Sequence, residues 1–244
     1  MHIDIKQPIL QKNDQLAADL RQRFADAGVY VLDLLASPGS GKTTTLARTI
    51  EALAGDLSIG VMEADIDSDV DARAMAATGV TAIQLHTGGM CHLDAAMCRQ
   101  GLAELEAAAE AAGTAPLDLA ILENVGNLVC PAEFDTGASV NVAILSVPEG
   151  DDKPLKYPLM FEVCDVVLVN KMDVAPYFDF DLARCEENVR LRNPGAKVIP
   201  MSAKTGEGTG AWAAWLRAAV AAWKTGTFEK ATPANSEAPH YPGE

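Results

Sequence analysis

The feature that most constrains this chain is a glycine-rich loop between an apolar run and a helix-like segment. The apolar run VYVLDLL occupies residues 29–35, the loop ASPGSGKT occupies residues 36–43, and helical periodicity continues to Leu53. Nearly continuous apolar runs of strand length are typical of parallel strands buried on both faces. A strand, a loop of the form G-x-x-x-x-G-K-[ST] and a helix predict a phosphate-binding P-loop, here with Ala36 in place of the first glycine.

The residue types of this loop suit the phosphates of a nucleotide. Glycines let backbone N–H groups curl around phosphate oxygens, and the helix N-terminus adds a favourable dipole. Lys42 supplies a cation for the β- and γ-phosphates, and the Thr43 hydroxyl suits Mg²⁺. The alternative, a glycine-rich turn without a ligand, is disfavoured by the strand–loop–helix context. The predicted nucleotide-binding residues are Gly39, Ser40, Gly41, Lys42, Thr43 and Thr44, and Lys42 and Thr43 are also candidate catalytic residues.

Strand-like and helix-like segments alternate along the chain. Further strands are predicted at Ser58–Met62, Thr81–Leu85, Leu117–Leu122, Val140–Val147, Val166–Val169 and Lys197–Pro200, and helices at Asn13–Ala27, Lys42–Leu53, Asp94–Ala112, Phe180–Arg192 and Gly210–Trp223. This alternation predicts an α/β fold with a mostly parallel central sheet and helices on both faces. We expect an N-terminal helical segment at residues 1–28, a P-loop domain at 29–223 and a disordered tail at 224–244.

A second nucleotide-binding element follows the strand at Val166–Val169. In the sequence Asn170-Lys171-Met172-Asp173, the carboxylate of Asp173 can accept from both the ring N–H and the exocyclic amine of guanine. Alone, this tetrapeptide could be a solvated turn. About 130 residues after a P-loop it predicts guanine recognition, with Ser202, Ala203 and Lys204 completing the base site. ATP is the alternative nucleotide.

Acidic residues close two of the predicted strands. Asp65 follows the second strand and Glu123 the fourth, and ligands of open α/β sheets gather at the carboxyl ends of strands. Asp65 and Glu123 are therefore candidates for holding Mg²⁺, together with Thr43, and for positioning the attacking water. Gly126 is placed where its backbone N–H could sense the γ-phosphate. Alternatively, either acid could cap a neighbouring helix.

Cys91, His92 and Cys130 form a candidate metal site. Two thiolates and an imidazole are a plausible ligand set for Zn²⁺ or Ni²⁺, although a buried thiol beside an incidental histidine remains an alternative. Three ligands leave the site incomplete, and a two-fold dimer could complete it. The remaining thiols, of Cys98, Cys164 and Cys185, are predicted to lie in the core.

Charge and composition exclude several classes of protein. A net charge of −15 disfavours nucleic-acid binding, and no apolar run reaches the length of a transmembrane helix. Five cysteines and no export signal argue against a disulfide framework. We therefore expect a cytoplasmic protein that binds neither nucleic acid nor membrane.

Three longer strings resemble the HypB family. They are TGGMCHLD at 87–94, ENVGNLVCP at 123–131 and EGDDKPLKYP at 149–158. HypB proteins are hydrogenase nickel-incorporation GTPases of the dimerising SIMIBI class, and the similarity runs from about Asn13 to Trp223. The related urease accessory GTPases carry Cys-Pro-His in place of the adjacent Cys91-His92, so this chain resembles that family less than HypB.

The resemblance implies a metallochaperone that hydrolyses GTP to GDP while helping to deliver nickel to the large subunit of [NiFe]-hydrogenase. It implies that Cys91, His92 and Cys130 bind nickel or zinc at the interface of a GTP-dependent homodimer, and that the small accessory protein HypA is a partner. Residues 1–35 contain no cysteine and only His2, so a separate N-terminal nickel site is not expected. A metal-binding interaction protein with a structural nucleotide is one alternative, and a small-molecule kinase is another.

Overall fold

A computed structural model describes residues 6–65 and 79–230, in which seven strands form one sheet. The strands are Tyr30–Ala36 (β1), Ile59–Asp65 (β2), Thr81–His86 (β3), Leu119–Glu123 (β4), Val140–Ser146 (β5), Val166–Asn170 (β6) and Lys197–Pro200 (β7). Their order is β3-β2-β4-β1-β5-β6-β7, and every pairing is parallel. The predicted α/β class is confirmed, and the sheet of the described residues is wholly rather than mostly parallel.

Eight α-helices lie within the described ranges. They are Lys6–Ala27 (α1), Lys42–Leu53 (α2), Ala95–Ala112 (α3), Cys130–Glu133 (α4), Lys153–Lys156 (α5), Pro158–Val163 (α6), Leu182–Arg192 (α7) and Thr209–Lys224 (α8). Two 3₁₀ turns follow strands β5 and β6, at Val147–Glu149 and Met172–Tyr177. The short elements α4, α5 and α6 and both 3₁₀ turns were not predicted, because three to six residues show no helical period.

Strand β1 lies in the centre of the sheet and is buried on both faces. Because side chains alternate along a strand, Leu32 and Leu34 pack on one face with α2 and α8, whereas Val31 and Leu35 pack on the other. Asp33 also points to this second face and is the one charged residue of β1. The apolar run therefore forms a double-sided core strand, with one buried carboxylate in it.

Helix α1 packs on the second face through Leu20 and Phe24. It begins at Lys6, seven residues before the predicted start, because its first turns lie at the surface and carry few apolar positions. It ends at Ala27, as predicted, and Gly28 follows with a φ of 70°, which is accessible to glycine. Val29 N–H donates to the carbonyl of Phe24, and Gly28 N–H donates to that of Ala25. The N-terminal segment thus shares a core with the sheet.

The end of the described chain also contacts the core. Phe228 lies edge-on to Tyr30, with ring centroids 5.2 Å apart, and edge-on to Trp223. Within the expected tail, Lys224 is the last residue of α8 and Phe228 packs against the sheet, and residues 231–244 lie outside the described part. No helix within 6–65 and 79–230 is long and apolar enough to cross a membrane.

Candidate nucleotide and metal sites

The P-loop joins the end of β1 to the start of α2. Gly39 and Gly41 have φ angles of 76° and 97°, which side-chain-bearing residues rarely adopt. A Cβ on Gly41 would also lie 2.5 Å from Nδ2 of Asn170, so the loop requires glycine there on two counts. Ala36 is the last residue of β1 and is buried. Because it precedes the curved part of the loop, its methyl group is accommodated.

The loop after β4 lies directly against the P-loop lysine. A Cβ placed on Gly126 would be 3.2 Å from Nζ of Lys42 and 3.3 Å from Cγ of Pro38. The structure therefore brings Gly126 to the phosphate-binding end of the P-loop. Lys42 and Thr43 are partly buried here, and Thr44 is exposed.

Two buried glutamates lie beside this loop. Glu123 ends β4 and is paired in register with Glu63 of β2, and both side chains are buried. Asp65 ends β2, but its side chain lies outside the described residues. Asp65 was predicted from the sequence, whereas Glu63 was not. The signal available for Glu63 was its position, since it directly follows the predicted strand at Ser58–Met62.

The predicted base-binding residues assemble at the carboxyl end of β6. The Asn170 amide donates to the Ser40 carbonyl at 3.0 Å, and its oxygen accepts from Ala203 N–H at 3.0 Å. Lys171 adopts a φ of 62° and donates from Nζ to the Gly39 carbonyl at 2.6 Å. Asn170 and Lys171 therefore bind the phosphate loop and the loop at 202–204 into one unit.

Asp173 is held with one carboxylate oxygen engaged. Ser202 donates from Oγ to Oδ1 of Asp173 at 2.7 Å, and Ser202 is fully buried. This contact fixes the orientation of the Asp173 carboxylate. Ala203 is buried, and Lys204 is exposed at the rim of the same loop.

Three residues that were not predicted from the sequence support the nucleotide site. Thr45 Oγ1 accepts from the Asn170 amide at 3.3 Å, and Arg48 donates to the Ala203 carbonyl at 3.0 Å. Glu149 accepts from the Ser37 hydroxyl of the P-loop and from Ser146 N–H. The signal for Thr45 and Arg48 was helical spacing, because both lie on α2 within two turns of Lys42.

The structure brings Cys91, His92 and Cys130 together. One potential ligand atom from each lies within 4.8 Å of the other two, and Cys91 Sγ is 3.8 Å from His92 Nδ1. Cys91 lies in the loop between β3 and α3, and Cys130 begins α4. Two sulfur donors and one imidazole have the chemistry that Zn²⁺ and Ni²⁺ accept. A hydrogen bond with Cys130, and then burial, raise the pKa of the Cys91 thiol.

His92 is the most enclosed member of this triad. It is buried, and its ring stacks on Phe134 with centroids 3.9 Å apart and an interplanar angle of 17°. Burial lowers the pKa of His92, which favours the neutral imidazole that a metal ion requires. Stacking on Phe134 also fixes the plane of the ring.

The other three thiols are buried in the core, as predicted. Burial raises the pKa of Cys98 and Cys164 well above the ordinary value and that of Cys185 to about 12. These residues remain protonated thiols, and none belongs to the metal-ligand group found within the described residues.

A buried polar network lies between the two sites. Burial raises the pKa of Asp33 to about 7, while hydrogen bonds from Asn124 and Thr136 oppose that rise. The Asn124 amide is 3.2 Å and 3.3 Å from the two carboxylate oxygens, and Thr136 donates to Oδ2 at 3.0 Å. This network was not predicted from the sequence.

The raised pKa of Asp33 predicts a pH-dependent stability. Between about pH 4 and 7 the unfolded chain releases this proton and the folded chain keeps it, so the contribution of Asp33 falls with rising pH and is lost above about pH 7. Asp33→Asn cannot ionise. As the pH rises from about 4 to 7, the free energy of unfolding of this variant should therefore increase relative to that of wild type. The change should be about 1.4 kcal/mol per pH unit and up to about 4 kcal/mol in total.

Urea unfolding at pH 5 and pH 8 measures the part of this effect between pH 5 and pH 7, where the expected change relative to wild type is about 3 kcal/mol. Asp151→Asn is the control, because the Arg184 hydrogen bond holds the pKa of Asp151 below its ordinary value. That variant should lose the same free energy at both pH values. Parallel pH profiles of wild type and Asp33→Asn would contradict the prediction.

Comparison with known protein families gives one match over most of the chain. Residues 30–200 match the family described as "CobW/HypB/UreG, nucleotide-binding domain". A protein of Azotobacter chroococcum mcd 1 named hydrogenase maturation factor HypB is 50% identical over 216 residues. The match covers 88% of this chain and 68% of that protein.

Solved structures show the same similarity to HypB proteins. HypB from Helicobacter pylori in complex with nickel superposes with a TM-score of 0.80 at 37% identity, covering 89% of this chain and 98% of that one. HypB from Archaeoglobus fulgidus superposes with a TM-score of 0.77 at 36% identity, covering 86% of this chain and 100% of that one. The resemblance carried by the three sequence strings is confirmed.

Proposed function

This chain belongs to the CobW/HypB/UreG family, among its HypB-type hydrogenase maturation factors, and from that premise we propose that it is a GTP-hydrolysing metallochaperone for nickel. Its cargo would be passed toward the large subunit of [NiFe]-hydrogenase. The observation that carries the proposal is the short connection between two sites. Gly126 lies beside Lys42 of the P-loop, and Cys130 of the metal triad follows only four residues later.

In the proposed reaction the nucleotide phosphates lie between the P-loop and the loop after β4. Lys42 stabilises the negative charge that develops on the transferred phosphoryl group. Glu123 positions the attacking water, with Asp65 as the second acidic candidate. Gly126 donates its N–H to the γ-phosphate. The Thr43 hydroxyl and the two carboxylates are oxygen donors of the kind that Mg²⁺ prefers, and Mg²⁺ would neutralise phosphate charge when bound.

The proposed metal site takes nickel as a substrate in transit, with zinc as the alternative occupant. Cys91, His92 and Cys130 supply three ligands, which leaves coordination positions for a second protomer or a recipient protein. The four-residue segment from Gly126 to Cys130 spans at most about 13–14 Å, so a displacement of Gly126 is transmitted over a short distance. We infer that GTP favours a homodimer joined at this site and that hydrolysis relaxes it.

The partners follow from the same proposal. A HypA-type accessory protein would share the metal, and the hydrogenase large subunit would receive it, in the cytoplasm. A urease-type target is the alternative recipient. A metal-binding interaction protein with a structural nucleotide is the alternative from another class.

The variant Lys42→Ala distinguishes GTP hydrolysis from a purely structural role of the nucleotide. Removing one preorganised charge from the transition state costs on the order of 10²–10³ in kcat, so GTP turnover should fall by about that factor. Phosphate release under saturating GTP and Mg²⁺ measures it. The control Lys12→Ala removes an exposed lysine of α1 and should retain wild-type turnover. Unchanged turnover in Lys42→Ala, or none in the wild type, would contradict the proposed hydrolysis.

A further inference from the structure

One buried side chain links the nucleotide loop to the metal loop. Asn124 directly follows β4 and is 0% exposed. Its oxygen Oδ1 accepts from Val125 N–H at 2.9 Å and from Leu93 N–H at 3.2 Å. Val125 precedes Gly126, which lies against Lys42, and Leu93 follows the metal-site residue His92. A single oxygen atom therefore holds the backbone next to both sites.

The other end of the same amide is anchored in the sheet. Nδ2 of Asn124 donates to the carboxylate of Asp33 on β1, and Asn124 N–H donates to the Leu34 carbonyl at 3.1 Å. Because both ends of the amide are engaged and the residue is fully buried, Asn124 cannot rotate without losing these hydrogen bonds.

Asp33 extends the connection to the other side of His92. Its Oδ2 accepts from the Thr136 hydroxyl at 3.0 Å, and Thr136 lies two residues after Phe134, which stacks on the His92 ring. The network therefore reaches the segments on both sides of the histidine: Leu93 through Asn124, and Thr136 through Asp33.

We propose that Asn124 is the positioning residue that couples γ-phosphate binding to the geometry of the metal triad. When γ-phosphate binding displaces Gly126, Val125 is displaced with it. Because Val125 N–H and Leu93 N–H donate to the same oxygen of Asn124, the backbone beside His92 moves as well. This inference rests on the proposed function, because it presupposes that nucleotide and metal occupy these two sites. It adds a side-chain route to the covalent one through residues 126–130.

The test is a thermodynamic cycle on the full chain. Ni²⁺ affinity is measured with bound GDP and with a bound non-hydrolysable GTP analogue, and the ratio of the two dissociation constants is the coupling factor. By thermodynamic linkage, Ni²⁺ must change the affinity for the analogue, relative to the affinity for GDP, by the same factor. For the wild type we expect a factor in the usual range of about 5–150.

Asn124→Leu keeps the approximate side-chain volume and removes all of its side-chain hydrogen bonds. We expect its coupling factor to fall to about one, while it still binds both nucleotides and Ni²⁺ within a few-fold of wild type. The matched control is Asn193→Leu. Asn193 is another buried asparagine that donates to the Cys164 carbonyl and accepts from Gly195 N–H, but it lies in the loop between α7 and β7. This control should keep the wild-type factor even where it lowers the melting temperature.

Thr136→Val provides a second variant if Asn124→Leu does not fold. It removes only the hydroxyl that donates to Asp33, and it should lower the coupling factor by part of the wild-type value. An unchanged factor in whichever of the two variants is folded would overturn the inference, as would an equal loss in Asn193→Leu. A wild-type factor of one would instead contradict the coupling in the proposed function, which separates the two failures.

Discussion

Asp173→Asn is expected to lose most of its GTP affinity and to gain affinity for xanthosine triphosphate. The Asp173 carboxylate is fixed by the Ser202 hydroxyl and, in the proposed site, accepts from the ring N–H and exocyclic amine of guanine. An asparagine amide directs a donor at one of those groups, whereas xanthine presents a carbonyl there. Sites built on such hydrogen bonds reject mismatched analogues by on the order of 10⁴, so wild-type preference for GTP over ATP should approach that factor.

Competition titration with GTP, ATP and xanthosine triphosphate measures this specificity. Asp179→Asn is the matched control, because Asp179 is a fully exposed aspartate shortly after the 3₁₀ turn that contains Asp173. It should retain the wild-type order of affinities. Equal affinity of the wild type for GTP and ATP would show that Asp173 does not read guanine.

The second large effect concerns the metal triad. Cys91→Ala and Cys130→Ala should each weaken stoichiometric Ni²⁺ or Zn²⁺ binding by more than the roughly 10–100-fold that loss of an outer-shell partner costs. Nucleotide affinity should be nearly unchanged. His92→Ala should weaken the site less, because a neutral nitrogen donor contributes less charge than a thiolate. Metal titration with a competing chelator measures all three.

The core thiol Cys98 supplies the control for these variants. Cys98→Ala removes a sulfur outside the triad and should retain full metal binding, although it leaves a small cavity. If the double variant of Cys91 and Cys130 binds metal as strongly as wild type, the metal site lies elsewhere in the chain.

Local sequence signals predicted most of the fold. Helix α2 has the predicted bounds because Gly41 ends the loop and Leu53 ends the apolar period. Strand β2 extends three residues beyond its predicted end, because Glu63 and Asp65 are charged and the apolar pattern stops before them. The charged residues continue the strand since its pairing with β3 and β4 supplies the hydrogen bonds.

The residues of the candidate site could be predicted from the sequence where they lie together in one contiguous segment. The P-loop and the residues at 170–173 are contiguous, and each residue type has a direct chemical reason. Asn124 carried no such signal, since an asparagine after a strand is typical of an ordinary turn. Its partners Leu93 and Asp33 are 31 and 91 residues away in sequence, so only the order of the strands brings them together.

The unequal burial of the metal triad has a consequence for ligand exchange. Cys91 and Cys130 are partly exposed, whereas His92 is buried against Phe134. An incoming thiolate or imidazole from a recipient can therefore approach a bound ion on the sulfur side, where it competes with the two cysteines first. In the proposed site, the bond to His92 would then be the last to break. Release from this site would follow a fixed order, in which the ion is already attached to its recipient before it leaves His92.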